Sequence, residues 1–122
     1  MRVDQKEIDV DVTANANYPV ASGGAVAAIS LEHIYGFSAV INALAAQAGT
    51  LTLQVSNDTE NTLKTNPSAA VWAPLPSGAF TINGAAVQVG NFDAQYWRWL
   101  RINYAKISGA GIIQVLLNWK GN

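Results

Sequence analysis

Thr50-Leu51-Thr52-Leu53-Gln54-Val55-Ser56 decides the fold class. Leu51, Leu53 and Val55 fall on one side of this run, and Thr50, Thr52, Gln54 and Ser56 on the other. That is the two-residue period of a strand with one face in a core and one in water. Asn57-Asp58-Thr59-Glu60-Asn61 ends it, because Asn and Asp side chains bond their own backbone and close turns. The same period appears upstream in Lys6-Glu7-Ile8-Asp9-Val10-Asp11-Val12, with Ile8, Val10 and Val12 opposed to the three acids. Further strands are expected over residues 25–31, 35–47, 96–104 and 112–119, the last two joined through 108–111. Residues 79–82 and 86–89 read as a hairpin around Asn83-Gly84-Ala85. The alanines within 35–47 favour a helix by propensity, but Phe37, Val40 and Ile41 between Gly36 and Gly49 suit a buried strand. Residues 64–78 carry Pro67, Pro74 and Pro76 around Trp72 and are expected to lie outside regular sheet.

Seven to nine short strands with Gly, Asn and Pro turns and no expected helix describe an all-β protein, an antiparallel β-sandwich of jelly-roll-like topology. Its expected core comprises Ile8, Val10, Val12, Leu51, Leu53, Val55, Leu100, Ile102, Val115 and Leu117. The 122 residues make one domain, read as 6–122, with an N-terminal arm at 1–5. Half the residues are apolar and 12% are charged, which excludes a disordered or coiled-coil chain. The surface is therefore poor in charge, as surfaces covered by a partner often are. Residues 1–60 hold seven acids and two bases, net −5, and residues 61–122 one acid and five bases, net +4. The two sets are expected to meet either across subunits or within one sandwich.

Without cysteine there is no disulfide, no thiolate zinc site and no cysteine nucleophile. The charged N-terminus does not read as a secretion signal. The Ala-rich stretch is interrupted by Glu32, His33, Asn42 and Gln47, so neither membrane insertion nor export is expected, and synthesis is placed in the cytoplasm. His33 beside Glu32 has no Gly-x-Ser-x-Gly elbow to serve, so no enzyme and no cofactor are expected. Asp9 with Asp11, and Asp58 with Glu60 between Asn57 and Asn61, are oxygen-rich pairs. They lack a third carboxylate, so they read as solvated surface before they read as ion sites. Gly23-Gly24 and Gly109-Ala110-Gly111 read as turns, with no helix behind them to hold a phosphate.

Arg98, Arg101 and Lys106 stand among Tyr96, Trp97, Trp99 and Tyr104, a mixture that in a flat groove would stack nucleic-acid bases. Strand alternation divides it. Leu100, Ile102 and Tyr104 face the core with Arg98 at the rim, and Trp97, Trp99, Arg101 and Asn103 face out, so no nucleic acid is expected. Outward tryptophans either anchor an interface or lie under the proline-rich loop as a second small core. The interface reading selects Trp72, Trp97, Trp99 and Arg101.

The run from Gly49 to Asp58, the proline-rich loop with Trp72, then Tyr96-Trp97-Arg98-Trp99-Leu100-Arg101-Ile102-Asn103-Tyr104 and a final alternating strand resemble small β-sandwich structural proteins of tailed bacteriophage virions. The likeness covers about residues 36–119. It departs at Thr59-Glu60-Asn61, where the phage pattern often has Gly and then Trp. The resemblance implies a non-enzymatic virion component, a capsid decoration (cement) protein or a head-spike or fibre subunit. It further implies a homotrimer whose partners are the major capsid protein or other virion proteins, located in the virion. The alternative is a carbohydrate-binding or host-adhesion module that uses its tryptophans to stack on sugar rings.

Overall fold

The computed structural model describes residues 2–20, 26–32, 34–92 and 97–121. They form nine strands: β1 (Arg2–Asp11), β2 (Ala16–Tyr18), β3 (Ile29–Ser30), β4 (Ile34–Ala43), β5 (Ala48–Ser56), β6 (Ala73–Asn83), β7 (Ala86–Phe92), β8 (Trp99–Ser108) and β9 (Ile112–Gly121). A short helix α1 (Glu60–Thr65) and a 3₁₀ turn (Pro67–Ala69) lie between β5 and β6. One sheet has the order β1-β9-β4-β7 and the other β2-β8-β5-β6, all pairs antiparallel. β2 and β3 share one strand position, since they pair with successive parts of the same edge of β8. The chain thus weaves between the sheets in jelly-roll order. All ten expected core residues are buried between them.

The sequence period places the strands, but not every connection. The expected hairpin over 79–89 is instead a corner, because β6 and β7 belong to opposite sheets. A hairpin and a corner both need a tight turn with a positive-φ glycine, here Gly84 at φ 83°, so alternation on either side cannot tell them apart. The connections β4–β5 and β8–β9 also cross between sheets, and all three corners meet at Gln47. Its side-chain Nε2 donates to the carbonyls of Ala110 (3.2 Å) and Ile112 (3.3 Å), and its backbone carbonyl accepts the Gly84 N–H at 2.8 Å. Gly109, at φ 101°, passes so close that a Cβ would sit 2.9 Å from the Gln47 Cα.

Four other expectations are corrected. From Arg2 onward the N-terminal arm is β1, its backbone paired with β9 as far as Gly121. The strand expected over 25–31 is reduced to Ile29–Ser30, with 21–25 outside the described residues, and β2 forms at Ala16–Tyr18, where no strand is expected. Pro74 and Pro76 lie inside β6. That strand is an edge paired only with β5, so a missing N–H on its outer side breaks no ladder, and the register shifts between Thr52 and Gln54 where β6 bulges. The expected turn at 57–61 continues into α1, too short for a helical period to be visible in sequence. The Thr59 hydroxyl accepts the Thr62 N–H at 3.1 Å to start it.

Candidate interaction site

Two outward faces carry the features that the core does not absorb. On the five-stranded sheet, Leu51, Leu53 and Val55 of β5 and Leu100, Ile102 and Tyr104 of β8 point inward. Thr52, Gln54, Arg101 and Asn103 alternate with them to face out, where Thr52 lies opposite Asn103 and Gln54 opposite Arg101. Over this face folds the segment from Asn57 to Trp72. The Asp58 carboxylate fixes it, its Oδ2 accepting the Ser56 hydroxyl at 3.0 Å and the Val71 N–H at 2.6 Å.

The segment buries Trp99. Expected as an exposed anchor, Trp99 is only 8% exposed, and its indole N–H donates to the Asp58 carbonyl at 3.0 Å. Like the buried Leu63 of α1, it lies outside the main core. Trp97, 38% exposed, stays accessible beside a cavity of about 610 Å³ that Ser30, Glu32, Lys64 and Arg98 also line. Tyr96, His33, Gly23 and Gly24 lie outside the described residues.

Trp72 and Arg101 come together. The Arg101 guanidinium lies 4.3 Å from the centre of the Trp72 ring, a cation–π contact, and its Nε donates to Gln54 Oε1 at 2.7 Å. Partial burial pushes the Arg101 pKa down from its ordinary value. No carboxylate forms an ion pair with it among the described residues, where Lys64–Glu60 at 3.9 Å on α1 is the pair formed. Gln54 was legible only as an outward polar residue of β5, since its partner is 47 residues away in sequence.

The four-stranded sheet presents a different face. The registers align Glu7, Leu116, Val40 and Val89 in one row across β1, β9, β4 and β7, and Asp9, Gln114, Asn42 and Val87 in the next. Charge stays on β1 at the edge, while the row ends on β7 in Val89 (72% exposed) and Val87 (62% exposed). The inward positions of β7 hold Gln88, whose amide donates to the Thr81 carbonyl at 2.8 Å, then Gly90 and Phe92. A Cβ at Gly90 would lie 3.1 Å from Phe80 and Phe92, and Phe92 stacks on Phe37 at 5.0 Å. The valines of Ala86-Val87-Gln88-Val89 are thus turned outward and the glutamine inward, the reverse of the reading that puts a strand's apolar set in the core.

Three of the four acids in the oxygen-rich pairs, Asp11, Asp58 and Glu60, are engaged locally. Asp11 accepts the Thr13 N–H (2.9 Å) and hydroxyl (2.7 Å), which lower its pKa. Among the described residues no three His, Asp or Glu gather where a metal ion would sit, and no helix is long and apolar enough to cross a membrane.

No family model and no curated protein matches the chain. Among solved structures it is similar to the crystal structure of SPBc2 prophage-derived protein YomS, with a TM-score of 0.49 and 11% identity over 95% of this chain and 94% of that one. At that distance nothing of the neighbour's role carries over to this chain.

Proposed function

We propose that the protein is a non-enzymatic structural component of a phage-type virion, a capsid decoration protein. In this reading it binds the major capsid protein, or other virion proteins, and works as a homotrimer. The observation that carries the proposal is the inverted strand β7, with Val87 and Val89 in solvent and Gln88 and Gly90 turned inward. Placing two valines in water while an amide occupies the inner side is unfavourable for a lone domain, and becomes favourable when the face is covered. The jelly-roll sandwich and the motif likeness between Gly49 and Tyr104 support the virion setting.

Edge protection supports it further. β1 carries Glu7, Asp9 and Asp11, and β6 is interrupted by Pro74, Pro76 and a bulge. β7 has neither charge nor proline along its seven residues. An unguarded edge suits a strand that is covered in the assembled state. The test is co-sedimentation of the purified protein with particles of the encoding phage. Saturable attachment supports the reading, and a protein that stays in the supernatant at every concentration contradicts it.

A further inference from the structure

We propose a second site, independent of particle attachment: the pocket between Trp72, Arg101 and β2 binds a carboxylate-bearing sugar of the uronic or sialic acid kind. The pocket encloses about 310 Å³ and is lined by Asn17, Pro19, Leu63, Pro67, Trp72 and Arg101, among others. That volume lies at the lower end for small-ligand sites and suits one or two rings better than an extended chain.

Its polar groups are unbalanced. Arg101 spends Nε on Gln54 Oε1 and leaves both Nη groups without a protein acceptor among the described residues. Asn17 spends its Oδ1 accepting from Asn103 Nδ2 at 2.9 Å, which leaves its own amide N–H groups free to donate. Each of these two amide oxygens already accepts one hydrogen bond, while the Nη groups of Arg101 and the amide N–H groups of Asn17 remain to donate. A half-buried guanidinium with no counter-charge is costly, and a planar carboxylate that accepts two parallel hydrogen bonds is its best-matched partner.

The same imbalance separates sugars from peptides. An acidic peptide brings backbone N–H donors beside its carboxylate, whereas the unspent groups of Arg101 and Asn17 only donate. A sugar acid brings a carboxylate together with ring and hydroxyl oxygens that accept. Its apolar ring face finds Trp72, Leu63 and Pro67, with Trp72 held in place by the guanidinium above it. In this arrangement Arg101 takes the carboxylate, Asn17 a ring or hydroxyl oxygen, and Trp72 the ring.

The experiment titrates the full-length protein with glucuronic acid and with an N-acetylneuraminic acid trisaccharide, with glucose, inorganic phosphate and an acidic pentapeptide as comparison arms. Binding is followed through the indole N–H resonances of Trp72 and Trp97. Expected is saturable binding of a sugar acid that shifts Trp72 and leaves Trp97 unmoved. Arg101→Gln weakens it by about tenfold or more, the scale of one lost charge-assisted hydrogen bond. Arg101→Lys, which keeps the charge and loses the fork, restores it only in part. Glucose binding as tightly as glucuronic acid, tighter binding of phosphate or the peptide, no binding of either sugar acid, or a folded Arg101→Gln protein that binds like the parent would each overturn the assignment. Particle attachment by the same Arg101→Gln protein is read separately, so failure here is distinguishable from failure of the virion reading.

Discussion

Val89 of β7 stands directly opposite Val40 of β4, and both side chains point away from the core. With Leu116 beside Val40 on β9, they make an apolar row across three adjacent strands, and the first charge met along it is Glu7 on the far edge. A row of this kind gives a surface two properties: it gains by being covered, and its attraction does not depend on charge.

Salt therefore separates it from the other candidate surfaces. The acids of β1 and the bases Arg98, Arg101 and Lys106 of the β8 region lie on opposite sheets, and no ion pair joins them among the described residues. The apolar row predicts that self-association persists or strengthens when salt is raised to about 0.5 M, where charges are screened beyond roughly 4 Å. Sedimentation velocity at low and high salt checks this. Association that dissolves with salt would assign the contact to the acidic and basic surfaces instead.

Gln47 is 2% exposed and ties the three inter-sheet corners together through Ala110, Ile112 and Gly84. Gln47→Leu keeps most of the volume and removes the donor from two carbonyls. The expected loss is about 1–3 kcal/mol, the usual effect of stranding a hydrogen-bond partner. It is measured as a lower urea midpoint with an unchanged slope.

The tryptophans should behave oppositely. Trp99→Phe removes the N–H that reaches the Asp58 carbonyl and should cost about 1–3 kcal/mol in urea denaturation. Trp97→Phe, which breaks no such hydrogen bond, should cost less, about 0.5 kcal/mol or below. Equal stability losses in the two variants would contradict the placement of Trp99 beneath the 57–72 segment.

Acid should loosen the end of β1. The Thr13 N–H and hydroxyl hold the Asp11 carboxyl below its ordinary pKa. A lowered folded pKa means a contribution present above the unfolded value and lost as pH falls through the folded one. A carbon-detected NMR titration should place the Asp11 midpoint below that of the same residue in the urea-unfolded chain. Asp11→Asn should leave the Thr13 amide exchange rate, corrected for intrinsic chemistry, with little acid dependence.

The long half-buried strands were legible in the sequence because such a strand writes its burial directly into the two-residue period, as Leu51, Leu53 and Val55 do, whereas the short β2 and β3 write no such period. Sheet membership was not, since Gly84 serves a corner as well as it serves a hairpin. The sequence places Trp99 on the outward side of β8 and leaves open whether it is covered, because α1 is held by the Thr59 hydroxyl and the Asp58 carboxylate and not by a helical stripe. Trp72 and Arg101 were both singled out, yet their contact depends on a loop path that no local pattern encodes. Val87 and Val89 were missed as surface because alternation defines two faces without saying which one is inward. Gly90, crowded by two phenylalanines, settles that choice only once Phe80 has a position.

The central claim is that the outward face of β7 and β4 is covered in the working assembly, and the double variant Val87→Lys/Val89→Lys tests it most directly. Both residues are exposed, so the variant should fold, with a parental far-ultraviolet spectrum and urea midpoint. Sedimentation velocity and particle co-sedimentation of parent and variant, side by side at micromolar concentration, give the result. The account predicts an oligomeric, particle-binding parent and a folded monomeric variant that no longer attaches, because a lysine on an edge strand blocks its coverage. A variant that assembles and attaches like the parent would contradict it.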